Sequence, residues 1–327
     1  MKIPYLKCGL LLALCSLSFG FTKEDPTQKP SIDYRQEMRN FVIGLSRYAK
    51  AAHPGFIVIP QNGQELITRN GENDGGLQTD YVKAIDATGR EDMFFGYNHD
   101  DVATPKKEKT YLVRLCAIFT RNHLPVLATD YCSTPEKMDA AYAQNAANGF
   151  ISFAADNRNL NDIPRYPKMP FRENTDNITA IAQAKNYLYL INPEKFKTKQ
   201  DFIQAVAATN YDALVMDLYL NDEPFTRDEI ARLQVKKNGG KRLVICYMSI
   251  GEAEDYRPYW KAEWKLKKPD WLLTENPDWK GNFKVKYWQK NWQDIIYGND
   301  ASYLKKILNA GFEGVYLDII DGFEYFE

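Results

Sequence analysis

GVYLDIID, Gly314 to Asp321, is the stretch on which the fold turns. Val315, Tyr316 and Leu317 make a strongly hydrophobic strand, and strand alternation sets Gly314, Tyr316 and Asp318 on one side of it. An aspartate therefore closes an apolar strand and points where its tyrosine points. Asp321 follows, either as a second carboxylate near Asp318 or as the cap of the next turn.

Seven further apolar runs precede this one, separated by helical stretches: FIVIP from Phe56, MFFGY from Met93, LPVLATD from Leu124, YLYLI from Tyr187, ALVMD from Ala213, LVICYMS from Leu243 and FKVKYW from Phe283. Such alternation predicts a parallel sheet built from crossover units, and eight strands predict an α/β fold closed as a (β/α)8 TIM barrel. FISFA, from Phe150, is a ninth run and is read as peripheral. Helix starts are marked by Thr134 before Pro135, by Thr198 with Asp201 and by the capping box Thr226 with Glu229.

The order of parts is unusual, since a helix comes first and a strand last. Tyr34, Met38, Phe41, Val42, Leu45, Tyr48, Ala49 and Ala52 recur at helical steps until HPG at His53 to Gly55 stops them. In a ring this helix can follow the strand at Gly314 through space, which predicts neighbouring termini. The competing reading is a truncated barrel lacking its last helix. Residues 157–176, polar and proline-bearing, read as a connector.

Lys2 and Lys7 flank a short apolar stretch, too short to span a bilayer, so residues 1–20 read as a cleaved export signal and 21–32 as a polar leader. Residues 33–327 are then a single barrel domain, secreted or periplasmic; Cys15 as a lipoprotein cysteine is the alternative. A net charge of -1 supplies no electrostatic footprint for nucleic acid. Cys116, Cys132 and Cys246 form neither a disulfide framework nor a metal knuckle, and His53, His99 and His123 lack paired zinc spacing. No metal or cofactor is expected. Neither a phosphate-cradling glycine motif nor a serine elbow occurs.

Parallel barrels carry their reacting groups where strands end. Here the ends supply Asn62, Tyr97, Asp130, Asp217, Tyr247 with Glu252, Glu254 and Asp255, then Asp318 and Asp321, while Glu91 and Asp92 stand just before MFFGY. Asp217 is read either as a substrate ligand or as the orienter of a basic neighbour. SIGEAEDYRPYW, Ser249 to Trp260, opens a third of the chain rich in aromatics, among them Tyr256, Trp264, Trp271, Trp279, Trp288 and Trp292. Most must be core, yet carboxylates beside aromatic platforms are the composition of a carbohydrate cleft.

SIGEAEDYR, VKYW and GFEGVYLDIIDGFEYFE together resemble glycoside hydrolase family 114, the endo-α-1,4-polygalactosaminidase-like barrels, and within it a little-characterised bacterial and archaeal branch. The likeness extends through PGFIVIPQNGQELI, GREDMFFGY, PVLATDY and GFISFAAD. In relatives the strand like GVYLDIID lies mid-chain and runs into a helix like the first one here, so the resemblance implies a circular permutation with the connector joining the family's two ends. It also implies an endo-acting glycosidase on galactosamine-containing or related α-1,4-linked polysaccharide. Asp318 falls on the family's strand-end aspartate, as nucleophile or stabiliser, and Glu91 on the general acid/base. The expected polysaccharide ligands are Asp217, Tyr247, Glu252, Asp321, Asn62, Tyr97 and Asp130. Where characterised members tend to have Asp-Asn-x-Asp, this chain has Asp318-Ile-Ile-Asp321. A non-catalytic carbohydrate-binding barrel is the alternative function.

Overall fold

Helix α1, Tyr34–Ala52, forms where the three- and four-residue spacing requires it: Met38, Phe41, Val42, Leu45 and Ala49 are buried along one stripe. Asp33 caps its start, accepting from the Gln36 N–H at 2.8 Å. The computed structural model describes residues 32–327, so the expected export signal at 1–20 and all but the last residue of the expected leader at 21–32 lie outside the described residues. Asp33–Glu327 form one compact unit.

Strand β1 (Ile57–Pro60) is followed by α2 (Thr79–Ala84), β2 (Thr88–Glu91), α3 (Lys106–Arg121), β3 (Val126–Tyr131), α4 (Pro135–Ala147) and β4 (Ile151–Ala155). After the connector come β5 (Tyr187–Leu190), α5 (Lys199–Ala207), β6 (Ala213–Met216), a small hairpin of β7 (Tyr219–Leu220) and β8 (Glu223–Pro224), and α6 (Arg227–Leu233). Then follow β9 (Leu243–Ser249), β10 (Glu252–Glu254), β11 (Leu272–Glu275), β12 (Asn282–Val285), α7 (Lys290–Ile296), α8 (Tyr303–Ala310) and β13 (Gly314–Asp318). Thr198 and Thr226 cap α5 and α6 as their spacing predicts, each accepting a backbone N–H.

One parallel sheet has the order β1-β13-β9-β6-β5 and a second the order β2-β3-β4. Two isolated parallel bridges join them, Gln61 to Gly89 and Ser152 to Asn186. β13 is thus an interior strand, paired with β1 on one side and β9 on the other. Tyr316 is fully buried. Gly89 on β2 makes room for it, since a Cβ there would collide with the Tyr316 hydroxyl. The two ends of the described residues meet, with Arg35 of α1 holding the Glu327 carboxylate at 2.8 Å and Tyr34 packing on Phe326.

Three strand expectations need correction. FISFA is β4, not peripheral: every residue from Ile151 to Ala155 is buried, as a strand covered on both faces must be. FKVKYW belongs instead to a separate antiparallel sheet, β10-β12-β11. Its alternation of Phe283, Val285 and Tyr287 with lysines marks one packed face. MFFGY is no strand. The second strand is TGRE just upstream, and the Phe94 and Phe95 amides are held by the buried Asp130 carboxylate. The connector 157–176 contains no helix or strand, so β4 reaches β5 without an α-helix between them.

Candidate functional site

At the C-terminal ends of these strands lies a cavity of about 360 Å³, within the range of ligand sites. Its floor carries Glu91 from β2 and Asp318 from β13, with Asn62, Tyr247 and Asp321 around them. The two carboxylates share one donor. The Gln61 side-chain amide gives hydrogen bonds to Glu91 Oε2 at 2.8 Å and to Asp318 Oδ1 at 3.0 Å. Those oxygens can be no farther apart than the sum of the two lengths, which is less than the roughly 6.5 Å minimum of inverting glycosidase pairs. Gln61 is itself fixed, since its carbonyl accepts the Tyr189 hydroxyl at 2.8 Å.

Each carboxylate has further donors. Asp318 accepts the Tyr247 hydroxyl at 2.6 Å and the Ile319 N–H at 2.8 Å. Glu91 accepts the Asn62 amide at 3.1 Å and also the Tyr131 hydroxyl. Burial pushes Glu91 up to about 7, and the charge of Asp318 adds to the shift. Asp318 is likewise pushed up to about 7 by burial, against the pull of the Tyr247 hydroxyl and the Ile319 amide. Asp321 rises to about 7 through burial and the nearby Glu324. Three carboxyls held this high keep a proton among them near neutrality, the condition a general acid requires.

Raised carboxyl pKa values also affect stability. A group that binds its proton more tightly folded than unfolded favours the fold at acid pH, and that advantage is lost as pH rises from the ordinary carboxylate range through about 7. Glu91→Gln is therefore expected to stabilise the protein at pH 8 by about 1–2 kcal/mol, a figure discounted for the opening to the cavity. Melting curves check it: the variant melts a few degrees above wild type at pH 8, with the gap closing at pH 4.5. An equal gap at both pH values would contradict the burial argument.

Asp217 also borders the cavity, but as the partner of Arg257, which lies 2.6 Å away. Arg257 is buried between Asp217 and Glu254, the contact expected of an aspartate that orients a basic neighbour. Three expected ligands do not reach the cavity. Asp130 is fully buried and is consumed by the Phe94 and Phe95 amides and by Asn145. Glu252 is fully buried, accepting from Asn276, Asn282 and Tyr325. Tyr97 is 43% exposed and is not among the cavity residues.

The cavity also contains residues that strand-end reading overlooks. Gln61 and Tyr131 each stand one residue from the position chosen at the same strand end, and one step along a strand reverses the side chain. Arg158 comes from the connector: its guanidinium lies 3.8 Å from the Tyr131 ring centroid and pairs with Asp92 and Asp100. Of the aromatic-rich third of the chain, Tyr256 and Trp279 alone line the cavity, each more than half exposed. Trp264, Trp271 and Trp292 are core.

Ile319, in the position where asparagine is expected, has φ 58°, the left-handed region that β-branched residues avoid and asparagine tolerates. Gly251 permits the turn, because a Cβ there would collide with the Ile319 carbonyl. It is the backbone N–H of Ile319 that meets Asp318, so the exchange leaves that hydrogen bond in place.

Among the described residues no helix is long and apolar enough to cross a membrane, and no cluster of three His, Cys, Asp or Glu side chains is arranged to hold a metal ion. Residues 179–327 match glycoside-hydrolase family GH114. An uncharacterized protein of Methanocaldococcus jannaschii is 42% identical over 156 residues, 46% of this chain and 42% of its own. One from Thermotoga maritima is 49% identical over 81 residues, 25% of this chain and 24% of its own, and one from Deinococcus radiodurans is 38% identical over 125 residues, 38% of each. The chain thus aligns with less than half the length of these relatives.

Proposed function

We propose that this chain, whose residues 179–327 match glycoside-hydrolase family GH114, is an endo-acting glycosidase that cleaves galactosamine-containing or related α-1,4-linked polysaccharide with two carboxylates. The observation that carries this reading is the Gln61 amide shared by Glu91 and Asp318 on the floor of a polar cavity. Asp318 attacks the anomeric carbon as the glycosidic bond breaks, and Glu91 gives its proton to the departing oxygen. Glu91 then takes a proton from the water that releases the sugar. Asn62, Tyr247 and Asp321 stand beside the scissile bond, while Asp217 acts through Arg257. The shared donor favours retention of anomeric configuration.

The two parallel sheets close into one (β/α)8 barrel. The bridges at Gln61–Gly89 and Ser152–Asn186 support closure. The barrel is a circular permutation of the family order, with α1 following β13 through space. The Arg35–Glu327 pair and the passage from β4 to β5 without an α-helix support that rearrangement. On the sequence of residues 1–20, the enzyme acts outside the cytoplasm.

The test is release of reducing ends from partially deacetylated α-1,4-galactosamine polymer, with the product anomer followed by NMR. The expected result is retention, with kcat/KM greatest near neutral pH, where the carboxylate pair holds a single proton. Inversion would remove Asp318 from the nucleophile role. No release across a panel of amino-sugar polymers would overturn the reading.

A further inference from the structure

Tyr256 separates the catalytic cavity from a second one. Ile191, Asn192, Asp217, Tyr256 and Arg257 line both, so the two share a wall rather than opening on different faces. The second is about 200 Å³, below the roughly 300 Å³ at which pockets hold ligands of their own. It is an annex to the first.

Its walls are built rather than incidental. The Tyr256 hydroxyl donates to Glu254 Oε1 at 2.7 Å, and the Arg257 guanidinium lies 5.2 Å from the ring centroid, so the hydroxyl and the ring each have a fixed neighbour while 55% of the tyrosine stays exposed. The far wall is the β7–β8 hairpin. Asn221 and Asp222 form its two-residue turn with φ 51° and 64°, the left-handed pair that such a tight turn demands and that Asn and Asp tolerate. One cavity thus combines an anchored aromatic ring with short polar side chains, a surface suited to one sugar ring with its hydroxyls.

We propose that this annex is a distal subsite, taking a further sugar residue of the same polysaccharide chain whose scissile bond lies over Glu91 and Asp318. This inference rests on the hydrolase reading above. It predicts that catalytic efficiency depends on chain length, because remote contacts help only substrates long enough to reach them.

The experiment uses wild type and Asn221→Gly/Asp222→Gly, which keeps the left-handed turn and removes both polar side chains, on α-1,4-linked galactosamine oligosaccharides from dimer to octamer. Wild-type kcat/KM is expected to climb with length and then level off. The double variant should lose about tenfold on the longest members while staying within about twofold on the shortest one cleaved. Tyr256→Ala, as a second variant, should also lose more on long members than on short ones. A wild-type profile independent of length, or an equal loss at every length, would overturn the distal subsite while leaving the hydrolase reading intact. Failure of wild type to cleave any member would overturn both.

Discussion

Asp318→Asn is expected to lower kcat by roughly 10⁴-fold or more, and Glu91→Gln by about 10²- to 10⁴-fold, on polymeric substrate. The two losses should differ in kind. An amide at position 318 can still accept the Tyr247 hydroxyl but cannot form the glycosyl ester, so no choice of leaving group restores activity. An amide at position 91 cannot protonate a leaving sugar, but an activated aryl glycoside leaves without a proton. Glu91→Gln should therefore regain much of the first step on such a substrate, and azide should speed release of the covalent intermediate, since an anion needs no general base. Burst kinetics and the yield of glycosyl azide separate these cases. Reversed behaviour would exchange the two roles, and unchanged hydrolysis in both variants would remove the pair from the chemistry. Both proteins should remain folded, because each substitution removes a buried carboxyl that resists ionisation at neutral pH.

What the sequence made legible follows from where hydrophobic burial is uniform. β13 and β9 are apolar runs, β13 paired with β9 along its full length and β9 paired also with β6, and each announces itself. β2 does not: Thr88, Gly89, Arg90 and Glu91 form a strand because Gly89 yields space to Tyr316 and because the neighbouring strand supplies register, neither of which is local information. The apolar MFFGY beside it misleads for the same reason, since its burial comes from a loop folded onto Asp130. Within the site, Asp318 is readable from strand parity with Tyr316. Glu91 emerges only from the family resemblance, and Gln61 is hidden by the parity error of a single step. Arg158 could not be read at all: a polar connector carries no periodic signal, and its position over Tyr131 is a tertiary fact. Buried carboxylates such as Asp130 and Glu252 resemble ligands in sequence, because only the structure reveals which donors have already claimed their oxygens.

The largest stability effect is expected at Arg257. Its side chain is 5% exposed and lies between Asp217 and Glu254, themselves 10% and 2% exposed, and it also donates to the Tyr303 hydroxyl at 3.1 Å. Ion pairs so buried add little compared with apolar residues of similar shape, yet removing one member leaves the others charged without a partner. Arg257→Met should therefore destabilise the protein by about 3–5 kcal/mol at pH 8, lowering Tm by on the order of 10 °C. The sign of the pH dependence is fixed by what remains. Asp217, already raised by burial and held down chiefly by Arg257, loses that restraint and takes up a proton more readily. The variant thus recovers part of its deficit as pH falls towards 5, whereas loss of packing alone would cost the same at both pH values. Arg257→Lys should fall between, because one ammonium cannot reproduce a fork that engages two carboxylates at once. Denaturant melts of the three proteins at pH 8 and pH 5 decide the matter: a deficit below about 1 kcal/mol would mean that Asp217 and Glu254 find other partners, and one independent of pH would reduce the arginine's role to packing. The same arginine walls both cavities and backs Tyr256, so its loss should also blunt the chain-length dependence of any hydrolysis that survives.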